Sequence, residues 1–314
     1  MTPSPLFSIL IANYNNGRYL REAINSVIAQ TYSKWEIIIV DDYSNDESIS
    51  IYKELELNDK IKIFFNEKNE GVGVTKRKLT DLACGDILAF LDPDDTITTN
   101  ALQLMVDVHL SLPEISLAYS THFLCDSDLN IIKINDTVGP IATGETYFTN
   151  TNGKRVSAFA SFKRDKYELT SKINPSYLSA EDQDLYYKLE EVGEFIYIDE
   201  PLYYYRQHPG GISTGKNVMN AMRWHNVVRR DTYVRRLRSK SAKNLTKKAL
   251  AIHHEKFYYW QACIEFENKK IASMYYSLFI SFYHGGLYNS IEKIKFLFKP
   301  LKYLFNKKVS ISKE

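Results

Sequence analysis

The chain has 314 residues, of which 44% are hydrophobic and 25% are charged, and its formal net charge is +2. This composition is ordinary for a globular protein and excludes a disordered or collagen-like chain. The three cysteines, Cys84, Cys125 and Cys263, lie far apart and form no CxxC pair. We therefore expect buried thiols in a reducing compartment, and neither a disulfide framework nor a cysteine metal site.

Charge is divided unevenly along the chain. Residues 1–215 hold 19 Lys and Arg against 32 Asp and Glu, a net charge of −13. Residues 216–314 hold 21 against 6, a net charge of +15. This asymmetry predicts two parts with different partners.

The first 115 residues alternate between strand and helix patterns. The predicted strands are FSILIA, EIIIVDD, IKIFF and DILAFLD, and the predicted helices are GRYLREAINSVIAQ, DESISIYKEL, VTKRKLTDLACG and TTNALQLMVDVHL. The strands are continuously apolar, which predicts an α/β fold with a mostly parallel, Rossmann-like sheet flanked by helices. Ligands bind such sheets at the carboxyl ends of strands, and two of these strands end in aspartates.

The segment FLDPDD places Asp92, Asp94 and Asp95 at the end of a buried strand. Two interpretations remain open: a turn before a helix, or a pair of carboxylates, Asp92 and Asp94, that face one hard cation such as Mg²⁺ or Mn²⁺. The strand-end position favours the cation, which would offset the repulsion. The chain has neither GxGxxG after its first strand nor GxxxxGK[ST], so a dinucleotide fold and a P-loop lose their main support.

The middle of the chain is less regular. SLAYSTHFLCDSDLNIIKI predicts two strands around a turn, and SAEDQDLYYKLEEVG predicts a helix with Ser179 as its N-cap. FIYIDEPLYYYRQHPGGIS predicts strand, turn, strand and a glycine-rich loop. From about residue 217 the pattern is helical, basic and aromatic.

Four segments, in order, resemble the motifs of family 2 glycosyltransferases with the GT-A fold. They are SILIANYNNGRYLREAINSVIAQTYSKWEIIIVDDYSND, NEGVGVTKRKLTDLACGDILAFLDPDD, AEDQDLYYKL and YRQHPGGIS. The resemblance implies a GT-A catalytic domain over residues 1–215, with a nucleotide-sugar half of about 1–115 and an acceptor half of about 116–215. A basic helical region, 216–314, follows.

The resemblance also implies a donor site. Ala12 and Tyr14 would hold the nucleobase, and Asp42 would contact the base or ribose; simple packing is the alternative for Tyr14. The family usually has Arg-Asn where this chain has Lys76 and Arg77. Lys76 would meet a phosphate as a point charge, or else lie on a solvated helix face.

The metal site follows from the same resemblance. It implies that Asp92 and Asp94 bind Mg²⁺ or Mn²⁺ together with a nucleoside-diphosphate sugar, and that Asp95 contacts the sugar or the metal shell. His208, which precedes PGGIS, would contact the metal or the diphosphate as this loop closes over the ligand. Arg206 is a second cationic candidate for the donor.

Asp182 matches the general base of the family. Ser179 and Asp182 also have N-cap-to-N3 spacing, so Asp182 could be a capping carboxylate, and a helix N-terminus would lower its pKa. Glu181 is the alternative base, and Asp184 would be structural or contact the acceptor. The implied reaction is a single in-line displacement with inversion, from a UDP-sugar to a hydroxyl of a surface polysaccharide or lipid-linked acceptor.

Two other functions remain open. A sugar nucleotidyltransferase would need a glycine-rich phosphate loop near the first strand, for which NYNNGRY is a poor candidate. A non-catalytic sugar-nucleotide or cation-binding module is opposed by the intact acids Asp92, Asp94 and Asp182.

The tail, residues 216–314, is basic and amphipathic. In SIEKIKFLFKPLKYLFNKK, four apolar residues share one helical face, with Lys293 and Lys295 off it: Ile291, Ile294, Leu297 and Phe298. This pattern suits an anionic membrane surface, or a helical subdomain with a solvated basic face. Nucleic-acid binding is not expected, since no such motif accompanies the charge.

Targeting signals are weak. The N-terminus lacks the basic segment of a signal peptide, and the longest apolar run, Ile271 to Tyr283, has 13 residues, too few to cross a bilayer. We expect a cytoplasmic protein, with a peripheral position on the inner face of the cell membrane left open.

Overall fold

A computed structural model describes residues 4–55, 57–150, 152–208, 218–239, 247–285 and 290–298. The chain divides into two compact units, Met1–Thr214 and Gly215–Glu314. The predicted PGGIS loop lies outside the described residues, as does Pro300 in the tail.

The first unit alternates strands and helices. Its strands are β1 (Phe7–Asn13), β2 (Trp35–Asp41), β3 (Ile61–Phe65), β4 (Ile87–Phe90), β5 (Thr96–Ile97), β6 (Ile115–Cys125), β7 (Ile131–Ile134), β8 (Ala160–Lys163) and β9 (Glu194–Arg206). Its helices are α1 (Gly17–Ile28), α2 (Ser48–Leu55), α3 (Val72–Leu82), α4 (Ala101–Ser111), α5 (Arg164–Glu168) and α6 (Glu181–Glu190).

The strands form one sheet in the order β3-β2-β1-β4-β8-β6-β9-β5, with β7 paired to β6. Pairing is parallel for β1 with β2 and β4, for β2 with β3, and for β6 with β9. The strands β5, β7 and β8 run antiparallel to their neighbours, so six of the nine described strands point the same way. The predicted mostly parallel sheet flanked by helices is confirmed.

The burial pattern of the core explains why the sequence predicted the first strands and helices correctly. All seven residues of β2 are buried, as expected of a strand covered on both faces. On α1, Leu20, Ile24 and Val27 are at most 1% exposed and join the same hydrophobic cluster as the strands. Their spacing of three to four residues places them on one helical face.

Three local predictions are wrong. FIYIDEPLYYYR forms the single strand β9, and a register shift against β6 accommodates Pro201 where a turn was predicted. Ala180, with φ of 59°, holds the N-cap position of α6, so Ser179 does not. Of the cysteines, Cys125 is buried, but Cys84 is exposed and Cys263 half-buried.

Helix α3 lies directly against the segment that leads into α6. A Cβ at Gly73 would come within 2.4 Å of the Tyr177 carbonyl oxygen and 2.9 Å of the Pro175 carbonyl oxygen. Only glycine permits so close an approach of two backbones. Helix α3, which precedes β4, and the segment that precedes Asp182 are therefore in backbone contact.

The described part of the second unit is helical. Its elements are α7 (Val218–Arg238), α8 (Lys247–Glu267), α9 (Ile271–Gly285) and α10 (Ser290–Leu297). Helices α8, α9 and α10 share a small apolar cluster around Met274, Leu278 and Phe296. None of the described helices is long and apolar enough to cross a bilayer.

The expected orientation is wrong at three positions, two on α10 and one, Phe298, directly after it. Lys293, predicted on a solvated basic face, is completely buried, and its Nζ lies 2.9 Å from Oε1 of the buried Glu255. Ile294 and Phe298, predicted on the apolar face, are each 49% exposed. Helix α10 therefore turns a lysine inward and apolar side chains outward.

Candidate active site

The carboxyl ends of β1, β2 and β4 form one edge of the sheet. Strand register places Asn13 opposite Asp41 and Leu10 opposite Phe90, so the residues that follow these strands meet at this edge. The predicted site residues gathered here are Ala12, Tyr14, Asp42, Asp92, Asp94 and Asp95. Since ligands bind parallel sheets at this edge, it is the expected location of an active site.

Two exposed tyrosines lie at the outer part of this edge. Tyr14 follows β1 and is 47% exposed, and Tyr43 follows β2 and is 61% exposed. Tyr43 has φ of 74°, which is uncommon for a bulky side chain and costs backbone strain. The sequence analysis missed Tyr43, although its place directly after Asp42 was a usable signal. The pair offers aromatic surface for a flat ring system.

Asp42 is 5% exposed and organises the loop into α3. Its Oδ1 accepts hydrogen bonds from Asn66 Nδ2 and the Glu70 N–H, both at 2.8 Å, and its Oδ2 accepts one from the Gly71 N–H at 2.9 Å. The carboxylate therefore lies directly before the start of α3, where a negative charge is stabilised.

Asp95 is the most firmly anchored of the three aspartates. Its Oδ2 accepts a hydrogen bond from the Tyr203 hydroxyl and its Oδ1 one from the Arg206 N–H, both at 2.7 Å. Burial, followed by the charges of Asp94 and Asp92, raises the pKa of Asp95 well above its usual range. Asp95 therefore links the segment after β4 to β9 through hydrogen bonds.

The Arg206 guanidinium is only 2% exposed and engages the protein through three nitrogens. Nε donates to the Asp94 carbonyl oxygen at 2.7 Å, and Nη1 donates to the Ser127 carbonyl oxygen at 2.6 Å. Nη2 pairs with Glu22 at 2.6 Å, and the group lies 4.4 Å from the centre of the Tyr19 ring. This geometry fits a residue that fixes the Asp94 backbone beside His208.

Asp94 and His208 meet directly. Oδ2 of Asp94 lies 2.8 Å from Nε2 of His208, and the Tyr19 ring packs 5.0 Å from the imidazole. Nearby, the Asp92 carboxylate accepts no hydrogen bond from any described residue. Burial, opposed by Lys76 and reinforced by the charges of Asp94 and Glu181, raises the pKa of Asp92. Asp92 is thus a buried acid that no hydrogen-bond donor of the described chain engages.

The donor set fits a hard divalent cation. Within the described ranges, no three His, Cys, Asp or Glu side chains already converge as a metal site. Two adjacent ligands of an octahedral Mg²⁺ or Mn²⁺ lie about 3 Å apart, given metal–oxygen distances near 2.1 Å. Asp94 Oδ2 and His208 Nε2 form a hydrogen bond of 2.8 Å, so the two atoms already lie about as close as two adjacent ligands of one cation would, and Asp92 offers a further oxygen.

Asp182 lies in the first turn of α6. Its Oδ1 accepts a hydrogen bond from the Gln183 N–H at 2.7 Å, whereas its Oδ2 has no donor among the described residues. Burial, then the charge of Glu181, raises the pKa of Asp182 to about 6, against the opposing effect of Lys76. The expected lowering by the helix N-terminus is therefore wrong, because burial and a neighbouring acid outweigh it.

Lys76 is buried beside Asp182. Its Nζ lies 2.7 Å from Oε1 of Glu181, and the two side chains are 12% and 6% exposed. Burial alone would lower the pKa of Lys76, but the charges of Glu181, Asp92 and Asp182 raise it above its usual value. The solvated helix face considered for Lys76 is therefore wrong.

Two other α6 residues complete the site. Asp184, 1% exposed, pairs with Lys188 one turn later, as a structural acid would. Tyr186 is 8% exposed and lies one turn after Asp182 on the same face, yet its hydroxyl bonds to no described residue. Burial and the charges of Asp182, Asp92 and Glu181 raise the pKa of Tyr186. The sequence analysis missed Tyr186, although its i+4 spacing from Asp182 was visible.

Two curated bacterial proteins are similar in sequence. Escherichia coli chondroitin synthase is 31% identical over 199 residues, which are 63% of this chain and 28% of that protein. The E. coli UDP-Glc:alpha-D-GlcNAc-diphosphoundecaprenol beta-1,3-glucosyltransferase WfgD is 33% identical over 135 residues, or 43% of this chain and 49% of that protein. The chain thus spans about half of these relatives or less.

Solved structures share the fold. TarS from S. aureus, residues 1–349 with UDP-GlcNAc, has a TM-score of 0.60 at 15% identity, covering 88% of each chain. The mannosyltransferase PcManGT from Pyrobaculum calidifontis, with GDP-Man and Mn²⁺, has a TM-score of 0.55 at 12% identity, covering 100% of this chain and 82% of that one. The family profile described as "Glycosyl transferase family 2" matches residues 8–168, just over half of the chain. The chain therefore belongs to glycosyl transferase family 2, and the GT-A fold implied by its motifs is confirmed.

Proposed function

We propose that the protein is a metal-dependent, inverting glycosyltransferase that moves a sugar from a nucleoside-diphosphate sugar to an acceptor hydroxyl. The observation that carries the proposal is Asp182, whose pKa is raised to about 6 and whose Oδ2 accepts no hydrogen bond from any described residue, in the same buried charge cluster as Asp92. A carboxylate with a pKa near the working pH suits general-base catalysis.

The substrate classes rest on the relatives. WfgD is named for a UDP-glucose donor and a diphosphoundecaprenol-linked acceptor, and TarS was solved with UDP-GlcNAc. We therefore infer a UDP-sugar as the donor and a polysaccharide or lipid-linked glycan as the acceptor. Proteins with this fold also bind other nucleotides, since PcManGT was solved with GDP-Man.

The proposed donor site uses the edge of the sheet. Ala12 and Tyr14 hold the nucleobase, with Tyr43 as a second aromatic surface, and Asp42 reaches the base or ribose from the loop it organises. Asp92, Asp94 and His208 would hold Mn²⁺ or Mg²⁺, which supplies positive charge against the leaving diphosphate. Arg206 and Asp95 keep these ligands in place.

The reaction is one displacement. Asp182 accepts the proton of the acceptor hydroxyl as that oxygen bonds to the anomeric carbon. The bond from the anomeric carbon to the diphosphate oxygen breaks at the same time, and its electron pair leaves with the diphosphate. Attack opposite the leaving group inverts the configuration, and no covalent enzyme intermediate is needed.

A sugar nucleotidyltransferase and a non-catalytic binding module are less well supported. The start of α1, where a phosphate-binding loop would lie, is already capped: Oδ2 of Asp46 accepts the Gly17 N–H at 2.7 Å. The Asp46 carboxylate would repel a phosphate at this position. Incubation with a panel of radiolabelled nucleotide sugars separates the functions, because only a transferase moves label to an acceptor.

We expect Asp182→Asn to lower glycosyl transfer by ~100-fold or more, because the amide cannot accept the hydroxyl proton. Affinity for UDP with Mn²⁺, measured by calorimetry, should change by less than about threefold, since Asp182 is assigned no nucleotide contact. Transfer at near wild-type rate would remove Asp182 as the base.

The transfer rate should depend on pH through Asp182. The raised pKa means that this carboxyl is protonated below about pH 6 and ionised above it. Since only the ionised form accepts a proton, we expect kcat/KM for the acceptor to fall as pH drops through about 6. The assay uses saturating Mn²⁺, so that metal loss does not limit the rate. A level profile between about pH 7.5 and about pH 5 would contradict the assignment.

Removal of the divalent cation should abolish transfer. Excess EDTA is expected to stop the reaction, and added Mn²⁺ or Mg²⁺ is expected to restore it. The reason is that the cation would stabilise the negative charge that develops on the leaving diphosphate. Asp94→Ala should remain inactive at any Mn²⁺ concentration, whereas Asp107→Ala, on the exposed face of α4, should behave as wild type. Full activity in EDTA would exclude the metal-dependent reaction.

We further propose that the second unit binds an anionic membrane surface, which would place the enzyme on the cytoplasmic face beside lipid-linked acceptors. On α9, Tyr276, Phe279 and Tyr283 are 68%, 68% and 78% exposed, at the spacing of one helical face. Lys269 and Lys270 are exposed just before this helix. Exposed aromatics next to lysines suit the headgroup region of an anionic bilayer.

Flotation with vesicles tests this surface. Wild-type protein should float with phosphatidylglycerol vesicles and much less with phosphatidylcholine vesicles, because the attraction needs anionic lipid. Replacement of Tyr276, Phe279 and Tyr283 by Ser should reduce flotation by ~10-fold. The matched control replaces three exposed isoleucines of β7 by Ser: Ile131, Ile132 and Ile134. Equal flotation of the α9 variant and wild type would refute the proposal.

A further inference from the structure

The segment that carries the base contacts Gly73, Lys76 and Arg77 of helix α3. Gly73 allows the backbone of α3 to reach the Pro175 and Tyr177 carbonyl oxygens. Arg77 Nη1 lies 3.5 Å from the Ile173 carbonyl oxygen, at the limit of a hydrogen bond. The third contact, between Lys76 and Glu181, is the only one of the three that reaches α6 itself.

The Lys76 ammonium lies between the end of β4 and the start of α6. Its Nζ is 2.7 Å from Oε1 of Glu181, and it also lies 5.1 Å from the centre of the Phe90 ring. Phe90 is the last residue of β4, two residues before Asp92, and Glu181 directly precedes Asp182. One buried cation therefore touches both the strand that leads to the metal ligands and the helix that carries the base.

This geometry differs from that of a phosphate ligand. Lys76 and Glu181 are 12% and 6% exposed, so their charges are poorly solvated and each depends on the other. A lysine that turned to the donor phosphate would leave Glu181 buried, charged and next to another carboxylate. That arrangement is costly in a medium of low polarity.

We propose that Lys76 is a positioning residue that, through Glu181, fixes Asp182 in line with the acceptor hydroxyl, and that it does not bind the donor phosphate. The proposal rests on the transferase function above. Its consequence is a separation of effects: loss of the pair misplaces the base but leaves the nucleotide site intact.

The test compares Lys76→Met, Glu181→Gln and the double variant in transfer and in binding of UDP with Mn²⁺. We expect each single variant to lower kcat by ~10- to 100-fold, because small misplacements of a reacting group have effects of this size. UDP affinity should change by less than about threefold. The double variant should lose no more activity than Lys76→Met, because it no longer buries an unpaired Glu181.

Two further variants sharpen the comparison. Lys76→Arg keeps the charge and should retain kcat within about fivefold. Lys78→Met is the matched control on the same helix: its ammonium contacts Asn66 and the Phe65 carbonyl oxygen, away from Glu181, and kcat should be unchanged. Hydrogen exchange gives a readout independent of activity, since amides at the start of α6 should exchange faster in Lys76→Met than in Lys78→Met.

The opposite pattern would overturn the proposal. If Lys76→Met weakens UDP binding tenfold or more while Glu181→Gln does not, Lys76 binds the diphosphate. Full additivity of the two substitutions in kcat would likewise show that the residues act separately. A wild-type enzyme that transfers no sugar from any donor in the panel would instead refute the transferase function, and the exchange comparison would still report on the Lys76–Glu181 link.

Discussion

Five carboxylates meet at one edge of the sheet and repel one another. The rest of the site depends on the groups that offset this repulsion. The carboxylates are Asp92, Asp94, Asp95, Glu181 and Asp182. Three receive distinct partners: Lys76 pairs with Glu181, His208 contacts Asp94, and the Arg206 backbone with the Tyr203 hydroxyl holds Asp95. What remains is the Asp92 carboxylate and one oxygen of Asp182, which have no donor among the described residues. The groups left without partners are the ones that the proposed chemistry requires.

The partners also divide the site into a fixed part and a reactive part. Asp95 and Arg206 are buried and hydrogen-bonded through several atoms, so they supply rigidity where His208 and Asp94 meet. Among the described residues, Asp182 accepts a hydrogen bond through one oxygen only. Its second oxygen can therefore accept a proton, whereas both oxygens of Asp42 already hold the loop before α3.

The sequence was a good guide where short-range patterns decide the structure, and a poor one where distant segments meet. Continuous apolar runs predicted the strands, and the spacing of Asp92 and Asp94 at a strand end marked the site edge. The partner of Lys76 could not be predicted, because Glu181 is 105 positions away and only the packing of α3 brings them together. The pKa direction of Asp182 failed for the same reason: the helix end is a local effect, whereas burial and Glu181 act through tertiary structure.

The helix N-termini at this edge favour a cation as the holder of the diphosphate. In many α/β folds a phosphate accepts hydrogen bonds from free N–H groups at the start of a helix. Here Asp46 accepts the Gly17 N–H at the start of α1, and Asp42 accepts the N–H groups of Glu70 and Gly71, which directly precede α3. A carboxylate therefore already lies at the start of each helix, where its charge would repel a phosphate. With Lys76 paired to Glu181, we expect the positive charge that faces a bound diphosphate to come from a cation held by Asp92, Asp94 and His208.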